Sequence, residues 1–425
     1  MKHFSNQINN SKSQAILLVL LSWLVYTISY LGKVNYSANI TQIIEFYGIS
    51  KSQAGIVPTF FFFAYGVGQV INGIFCKKYN IKWVIFFSLL VSGSINLTIA
   101  ISTNFSIMKW LWLGNGFVLS VLWPTIIRLI SEVLPKKILG TTSVIMGTSV
   151  ALGTLIIYGL SSIFVAFDKF KLSFYTAGVS IIATAIIWML LYNKAVKAAK
   201  KEREAEKNIE KTKVDVPVQE IQKKNEDKKL LFVTIYILCF CAIGVNLIKD
   251  GLTTWVPSIL KESFSVSDSL SILLTLFLPI LALFGNGFSL KIHRKVPDYV
   301  NHCGVVFAFI AALICIIIGS LTLKLVSFTL LGLVIVNFLA SSLNSLITSI
   351  FPLLMRGKVN SGLLAGVLNG FCYVGSTISS YGLGAIADNY GWIAVFWTLI
   401  GFCSTTFIVW ISYIRLKHFC KTKNN

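Results

Sequence analysis

Charge is the first scarcity in this 425-residue sequence: Asp, Glu, Lys and Arg together supply 12% of it. Acids are scarcest, 16 against 37 Lys and Arg, while 55% of the chain is hydrophobic and mean hydropathy is +0.77. So little charge cannot coat a soluble domain of this length. Histidine is nearly absent, and His3, His293, His302 and His418 all read as surface residues. The eight cysteines form no C-x-x-C and no metal-ligand spacing, so they read as small apolar fillers and no metal or other cofactor is expected. A G-x-x-x-x-G-K-[ST] phosphate loop is missing, as is any catalytic constellation, which argues against an ATPase and against an enzyme. The short apolar runs of a buried parallel sheet are missing too.

What is present is a series of apolar runs, each ~20 residues or more, long enough to cross about 30 Å of hydrocarbon. Twelve spans are expected, at 14–44, 53–76, 82–102, 107–134, 139–166 and 172–192, then 230–260, 268–290, 299–323, 326–355, 361–387 and 392–416. No small-residue cleavage site follows the first run, so it reads as the first helix and not as a signal peptide. The expected class is an all-α membrane protein of two pseudo-symmetric six-helix halves, 1–193 and 230–416. A charged linker, 194–229, joins them, and a tail, 417–425, follows.

The basic residues are distributed by side. With both termini placed in the cytoplasm, the inner ends and short loops hold 16 of them, the linker 12 and the outer loops 6. This is the positive-inside asymmetry, so the basic excess is a topology signal and not a nucleic-acid footprint. It points to a multi-pass protein of the cell membrane, with the lipid bilayer as its surroundings. Three basic residues remain inside spans: Lys33, Arg128 and Lys249. Ionisable groups at such depth are costly and mark functional positions.

The halves repeat. Lys33 and Lys249 each lie 19 residues after the start of their span, and each is followed by a Gly-to-basic turn, "NGIFCKKYNIK" and "NGFSLKIHRK". A parallel repeat of this kind places a substrate site near the bilayer midplane between the halves. The 6+6 layout with basic loops resembles the major facilitator superfamily. Its usual G-x-x-x-D-[RK]-x-G-[RK] loop is degenerate here, with Cys76 at the aspartate and Asn80 at the second glycine. Within that superfamily four stretches resemble the organophosphate:phosphate antiporters and the anion:cation symporters. They are "YLGKVNYS", "GNGFVLSVLWPTIIRLISEVLPKK", "LIKDGLTTWVPSILKE" and "GVLNGFCYVGSTISSYGLGAIADNYGW". The third, close to basic-x-G-x-x-x-W-x-P-x-x-L-K-E, is the most specific. Three departures stand out. Lysine replaces the arginines of phosphate-handling relatives in both halves, Ser149 stands where a glycerol-phosphate carrier has histidine, and Gly32 stands where the symporters often carry an acid.

The candidate substrate-binding residues are Lys33, Lys249, Tyr26, Tyr30, Arg128, Trp123, Asn246, Asn369 and Tyr373. Tyr26, Tyr30 and Lys33 share a helix face at i, i+4 and i+7. The first helix is expected to continue unbroken past Lys33. Tyr236, Asn246, Lys249 and Thr253 form a polar stripe, and Asp250, about 100° around the helix from Lys249, is a poor partner for it. Arg128 and Glu132 at i, i+4 are placed for an ion pair, and Trp123–Pro124 for a helix break. Together these imply a secondary transporter of a small organic anion, and the resemblance to the antiporters implies an organophosphate moved by exchange. A proton-coupled symporter of sugar acids or carboxylates and a transport-inactive ligand sensor are the alternatives, with a monomer as the expected state.

Overall fold

Hydrocarbon offers no partner to backbone N–H and C=O groups, so helices, which satisfy them internally, carry the chain across. A computed structural model describes residues 2–75, 78–210, 228–355, 359 and 361–423. Cys76, Lys77, Arg356, Lys358 and linker residues 211–227 lie outside the described residues. The N-terminal half consists of α1 (Lys2–Ala38), α2 (Ile40–Tyr47), α3 (Lys51–Phe75), α4 (Ile81–Ile101), α5 (Phe105–Ser120), α6 (Leu122–Val133), α7 (Lys136–Ala166) and α8 (Leu172–Glu210). The C-terminal half begins with α9 (Lys228–Phe264), α10 (Asp268–Thr275), α11 (Phe277–Ala282), α12 (Gly285–Lys295) and α13 (Tyr299–Thr322). It continues with α14 (Val326–Ser345), a π-helical turn at Leu346–Ile350, α15 (Phe351–Leu354) and α16 (Ser361–Lys423).

Among the described residues ten helical stretches are long and apolar enough to span, and α10–α11 with Gly287–Lys295, bent by 49°, make an eleventh. Gly391 (φ 77°, ψ 174°) divides α16 into two helices, which reconciles this number with the twelve passes read from the sequence. The left-handed φ explains why a glycine stands at that junction.

Two helix breaks shape the interior. The first span is not the single helix expected: α1 ends at Ala38, and Asn39 (φ −109°, ψ 17°) interrupts it. The Asn39 side chain bonds the Asn35 carbonyl (2.8 Å) and the Ser161 hydroxyl (3.0 Å), so it binds the break to α7. The fourth span breaks at Val121, between α5 and α6. Pro124 lacks the N–H that would reach the Ser120 carbonyl, which accounts for the interruption falling there.

One further reading changes in the structure, that of His302, while the start of the linker is helical. His302 is fully buried in α13 and not at a surface, its ring 6.1 Å from that of His293. The first part of the linker is helical, because α8 runs on to Glu210, and Arg203 there donates to the Ser131 carbonyl (3.2 Å).

The halves are latched together at one end of the bundle. Lys51 at the start of α3 pairs with Glu262 of α9 (3.1 Å) and lies 3.8 Å from Asp388 of α16. The Asp388 carboxylate also accepts from the backbone N–H groups of Lys51 (3.1 Å) and Ser52 (2.7 Å). Lys261 bridges Glu45 of α2 and Asp268 of α10. Behind this latch α3 and α16 approach backbone to backbone: a Cβ on Gly55 would come 2.2 Å from the Ser380 carbonyl oxygen.

Candidate functional site

Below the latch, between the halves, lies a cavity of about 360 Å³. The N-terminal half lines it with Tyr30, Lys33 and Ser37 of α1, Phe61 and Phe62 of α3, Trp112 of α5 and Thr154 of α7. The C-terminal half contributes Asn246, Lys249 and Asp250 of α9, Asn337 and Asn344 of α14, and Asn369 and Tyr373 of α16. The wall is thus aromatic on one side and rich in carboxamides on the other.

The local backbone explains how Lys33 reaches this space. Asn115 of α5 donates to the Gly32 carbonyl (2.7 Å) and Asn35 donates to Asn96 of α4 (2.8 Å), so α1 is fastened on both sides of Lys33. A Cβ at Gly32 would sit 2.5 Å from Ile181 and 2.7 Å from Asn96, which leaves no room for the acid that the symporters often carry there. With that face pinned against α4 and α8, Lys33 turns to the cavity.

There its ammonium is held by rings. Lys33 Nζ lies 4.0 Å from the ring centroid of Tyr65, 4.9 Å from Tyr30, 5.6 Å from Tyr373 and 5.9 Å from Phe61. Each face offers cation–π attraction. Among the described residues no carboxylate forms an ion pair with Lys33.

Lys249 is bound differently, and here the expectation from helix spacing fails. Its Nζ is 3.1 Å from Asp250 Oδ1. Two flexible side chains on adjacent residues can fold toward one another into a cavity even though their Cα–Cβ vectors diverge. Asp250 also accepts from Ser376 Oγ (2.5 Å) and Asn246 Nδ2 (3.2 Å). Asn246 in turn accepts from Asn344 Nδ2 (2.6 Å), and Thr348 donates to Asn344 Oδ1 (3.1 Å). The network links α9, α14 and α16. Tyr236 is not part of the polar stripe; it is 75% exposed on the outside of α9.

Of the nine sequence candidates, Lys33, Lys249, Tyr30, Asn246, Asn369 and Tyr373 line the cavity. Asn369 donates to Gln69 of α3 (2.9 Å), a bond across the two halves. Tyr26 and Trp123 do not line it; they pack on each other behind Tyr30, ring centroids 4.7 Å apart. Arg128 is likewise outside the cavity, paired with Glu132 (2.7 Å) and donating to the Tyr79 carbonyl (3.2 Å). Ser149 is buried but not in the lining. Sequence reasoning missed Asp250, Asn344 and Tyr65. The "KD" pair was visible, and only the angle argument set it aside.

Membrane-length helices around a polar cavity are the architecture of a polytopic membrane protein. The Major Facilitator Superfamily model matches residues 22–361, and the chain belongs to that family. Among its relatives is the "Probable hexose phosphate transport protein" of Chlamydia trachomatis, 21% identical, covering 89% of this chain and 86% of the relative. The bovine "Sugar phosphate exchanger 3" is 22% identical, covering 86% of this chain and 80% of the relative. The "Membrane sensor protein UhpC" of Escherichia coli matches 100 residues at 28% identity, 24% of this chain and 23% of the sensor. These agree with the resemblance to the organophosphate antiporters. In fold, the chain is similar to a bacterial homologue of the lysosomal transporter Spinster in an inward-facing, unoccupied conformation. The TM-score is 0.73 at 13% identity, over 95% of this chain and 97% of the other. A D-xylose–proton symporter gives 0.70 at 12% identity, over 94% and 97%.

Proposed function

We propose that this chain is a secondary transporter of a small phosphorylated organic anion, moved by exchange against another anion through alternating access. The observation that carries the reading is Lys33, an ammonium aimed into the central cavity with rings around it and, among the described residues, no carboxylate paired to it. An ion so placed is expensive unless a ligand uses it. The names of the hexose phosphate and sugar phosphate relatives support a phosphate ester as cargo.

In this reading Lys33 holds the anionic group from one half and Lys249 approaches it from the other. Tyr30, Asn246, Asn369 and Tyr373 hydrogen-bond the remainder, while Tyr26 and Trp123 back the wall. Arg128 acts away from the cargo, on α6. Lysine makes point contacts where arginine would grip with a fork, so the cargo is oriented more by its neighbours than by the cations. The moving units are the halves 1–193 and 230–416, working as a monomer in the cell membrane with both termini cytoplasmic. The latch of Lys51 and Lys261 is then the closed outer gate, and the cavity serves the cytoplasmic side.

The test is exchange in proteoliposomes. Preloading with inorganic phosphate should stimulate uptake of labelled glucose 6-phosphate several-fold over empty vesicles. Equal uptake into loaded and empty vesicles contradicts exchange, and no uptake in either contradicts the anion assignment.

A further inference from the structure

At the latch end of the bundle a second cavity, of about 390 Å³, opens on the N-terminal half and shares no lining residue with the central one. Its floor is apolar: Phe46 of α2, Ile101 of α4 and Tyr175 of α8, all exposed. Its rim is charged, with Asp168, Lys169 and Lys171 from the turn that joins α7 to α8. Ile101 closes one membrane-length helix and Leu172, also in the lining, opens another. The groove therefore sits where the chain passes from hydrocarbon into the headgroup layer.

The rim is ordered by its own backbone. Asp168 adopts the left-handed conformation (φ 57°), which an aspartate tolerates, and the Lys169 N–H donates to the Phe164 carbonyl (2.8 Å) to close α7. Lys171 Nζ donates to the Ser102 carbonyl (3.1 Å) and lies 4.6 Å from the ring centroid of Phe46. Its ammonium is thus held over the floor with donors to spare, since Ser102 takes one of three. Among the described residues Asp168, Lys169 and Lys171 form no ion pair. Two cations and one anion stand unneutralised above an apolar floor at headgroup level.

We propose that this groove is a binding site for a zwitterionic phospholipid whose headgroup ends in a primary ammonium, a phosphatidylethanolamine. The charge pattern selects the occupant. A free phosphate ester leaves the apolar floor bare. A wholly anionic lipid satisfies the lysines but brings no cation to Asp168, and a choline headgroup brings a cation without N–H donors. Phosphatidylethanolamine presents its phosphate to Lys169 and Lys171 and its ammonium to the Asp168 carboxylate, both as charge-assisted hydrogen bonds. Its acyl chains cover Phe46, Ile101 and Tyr175. Phe46 follows Glu45, the latch partner of Lys261, on the short helix α2, so the seated lipid braces the element that carries one side of the latch.

Native mass spectrometry of the detergent-purified protein tests this without any transport assay. The protein is titrated with phosphatidylethanolamine, phosphatidylcholine and phosphatidylglycerol of the same acyl chains. The wild type should bind the first phosphatidylethanolamine about fivefold more tightly than either other lipid, the upper end for an exposed ion pair. Asp168→Asn removes the charge but suits the left-handed backbone, and should bring phosphatidylethanolamine to within about twofold of phosphatidylcholine. Lys169→Gln should weaken both of these lipids, because it removes a phosphate contact they share. Asp168 and Lys169 are exposed, so neither change opens the core, and an unchanged unfolding temperature confirms it. Equal binding of the three lipids by the wild type overturns the proposal. So does a preference for phosphatidylglycerol, which marks a merely basic surface; neither result needs a variant to fold. A phosphatidylethanolamine preference that survives in Asp168→Asn overturns it as well, because the site then lies elsewhere.

Discussion

The Lys33 ammonium lies 4.0 Å from the ring centroid of Tyr65, a pairing of α1 with α3 inside one half of the bundle. Lys249, its counterpart in the other half, is held by a carboxylate instead. The two repeat-related cations are therefore held differently, one by ring faces and the other by a carboxylate.

Replacing Lys33 by alanine should abolish anion uptake without disturbing insertion. A hydrogen bond to a charged group is worth about 1.5–3 kcal/mol, so binding should weaken roughly tenfold to a hundredfold. Uptake assays beside gel filtration of the purified variant check both halves of the statement. Wild-type transport by Lys33→Ala would remove Lys33 from the site.

Tyr65→Leu should act more mildly. A cation–π contact is worth about 0.5–2 kcal/mol, and losing it lets the ammonium leave its position. The Michaelis constant for glucose 6-phosphate should rise about two- to thirtyfold. A Michaelis constant at the wild-type value would mean that the cage does not position Lys33.

Lys249→Ala should destabilise the fold more than Lys33→Ala, because it strands Asp250 in a largely enclosed site at a cost of about 1–3 kcal/mol. Adding Asp250→Asn to Lys249→Ala should recover part of the thermal stability. Additive losses in the double variant would show that the pair is not coupled.

The latch predicts its own failure. Gly55→Val places a side chain where a Cβ already meets the Ser380 carbonyl at 2.2 Å, so the α3–α16 seam cannot close. Transport should be lost while folding persists, and a cysteine introduced at Ser37 should become labelled by membrane-impermeant maleimides from the latch side. Protection equal to the parent protein would refute the seam as the gate.

Much of this arrangement was legible in the sequence, for reasons that can be stated. Lys33 and Lys249 stood out because hydrocarbon makes a charge conspicuous, and the repeat spacing put them in matching places. Six of the nine candidates meet in one cavity because polar residues on apolar helices point inward or fail to insert. What escaped depended on contact across elements. Tyr65 is one aromatic in an aromatic-rich helix, and nothing local says that its face meets an ammonium from α1. Asp250 was set aside because ideal Cβ directions ignore the reach of two side chains bending into open space. The break at Asn39 was missed because asparagine is an ordinary helix residue until its side chain finds Ser161 on another helix. Arg128 and Trp123 belonged to a motif, but the break at Val121 and the packing of α6 leave both outside the lining.

The central claim is that Lys33 receives a phosphorylated anion, and thermal unfolding of the purified protein tests it most directly. A ligand that binds only the folded state at a hundred times its dissociation constant adds about 2.7 kcal/mol of stability. Glucose 6-phosphate should therefore raise the unfolding temperature of the wild type, glucose should not, and Lys33→Ala should lose the shift while keeping a cooperative transition. An equal shift with glucose, or a full shift in Lys33→Ala, would contradict the account.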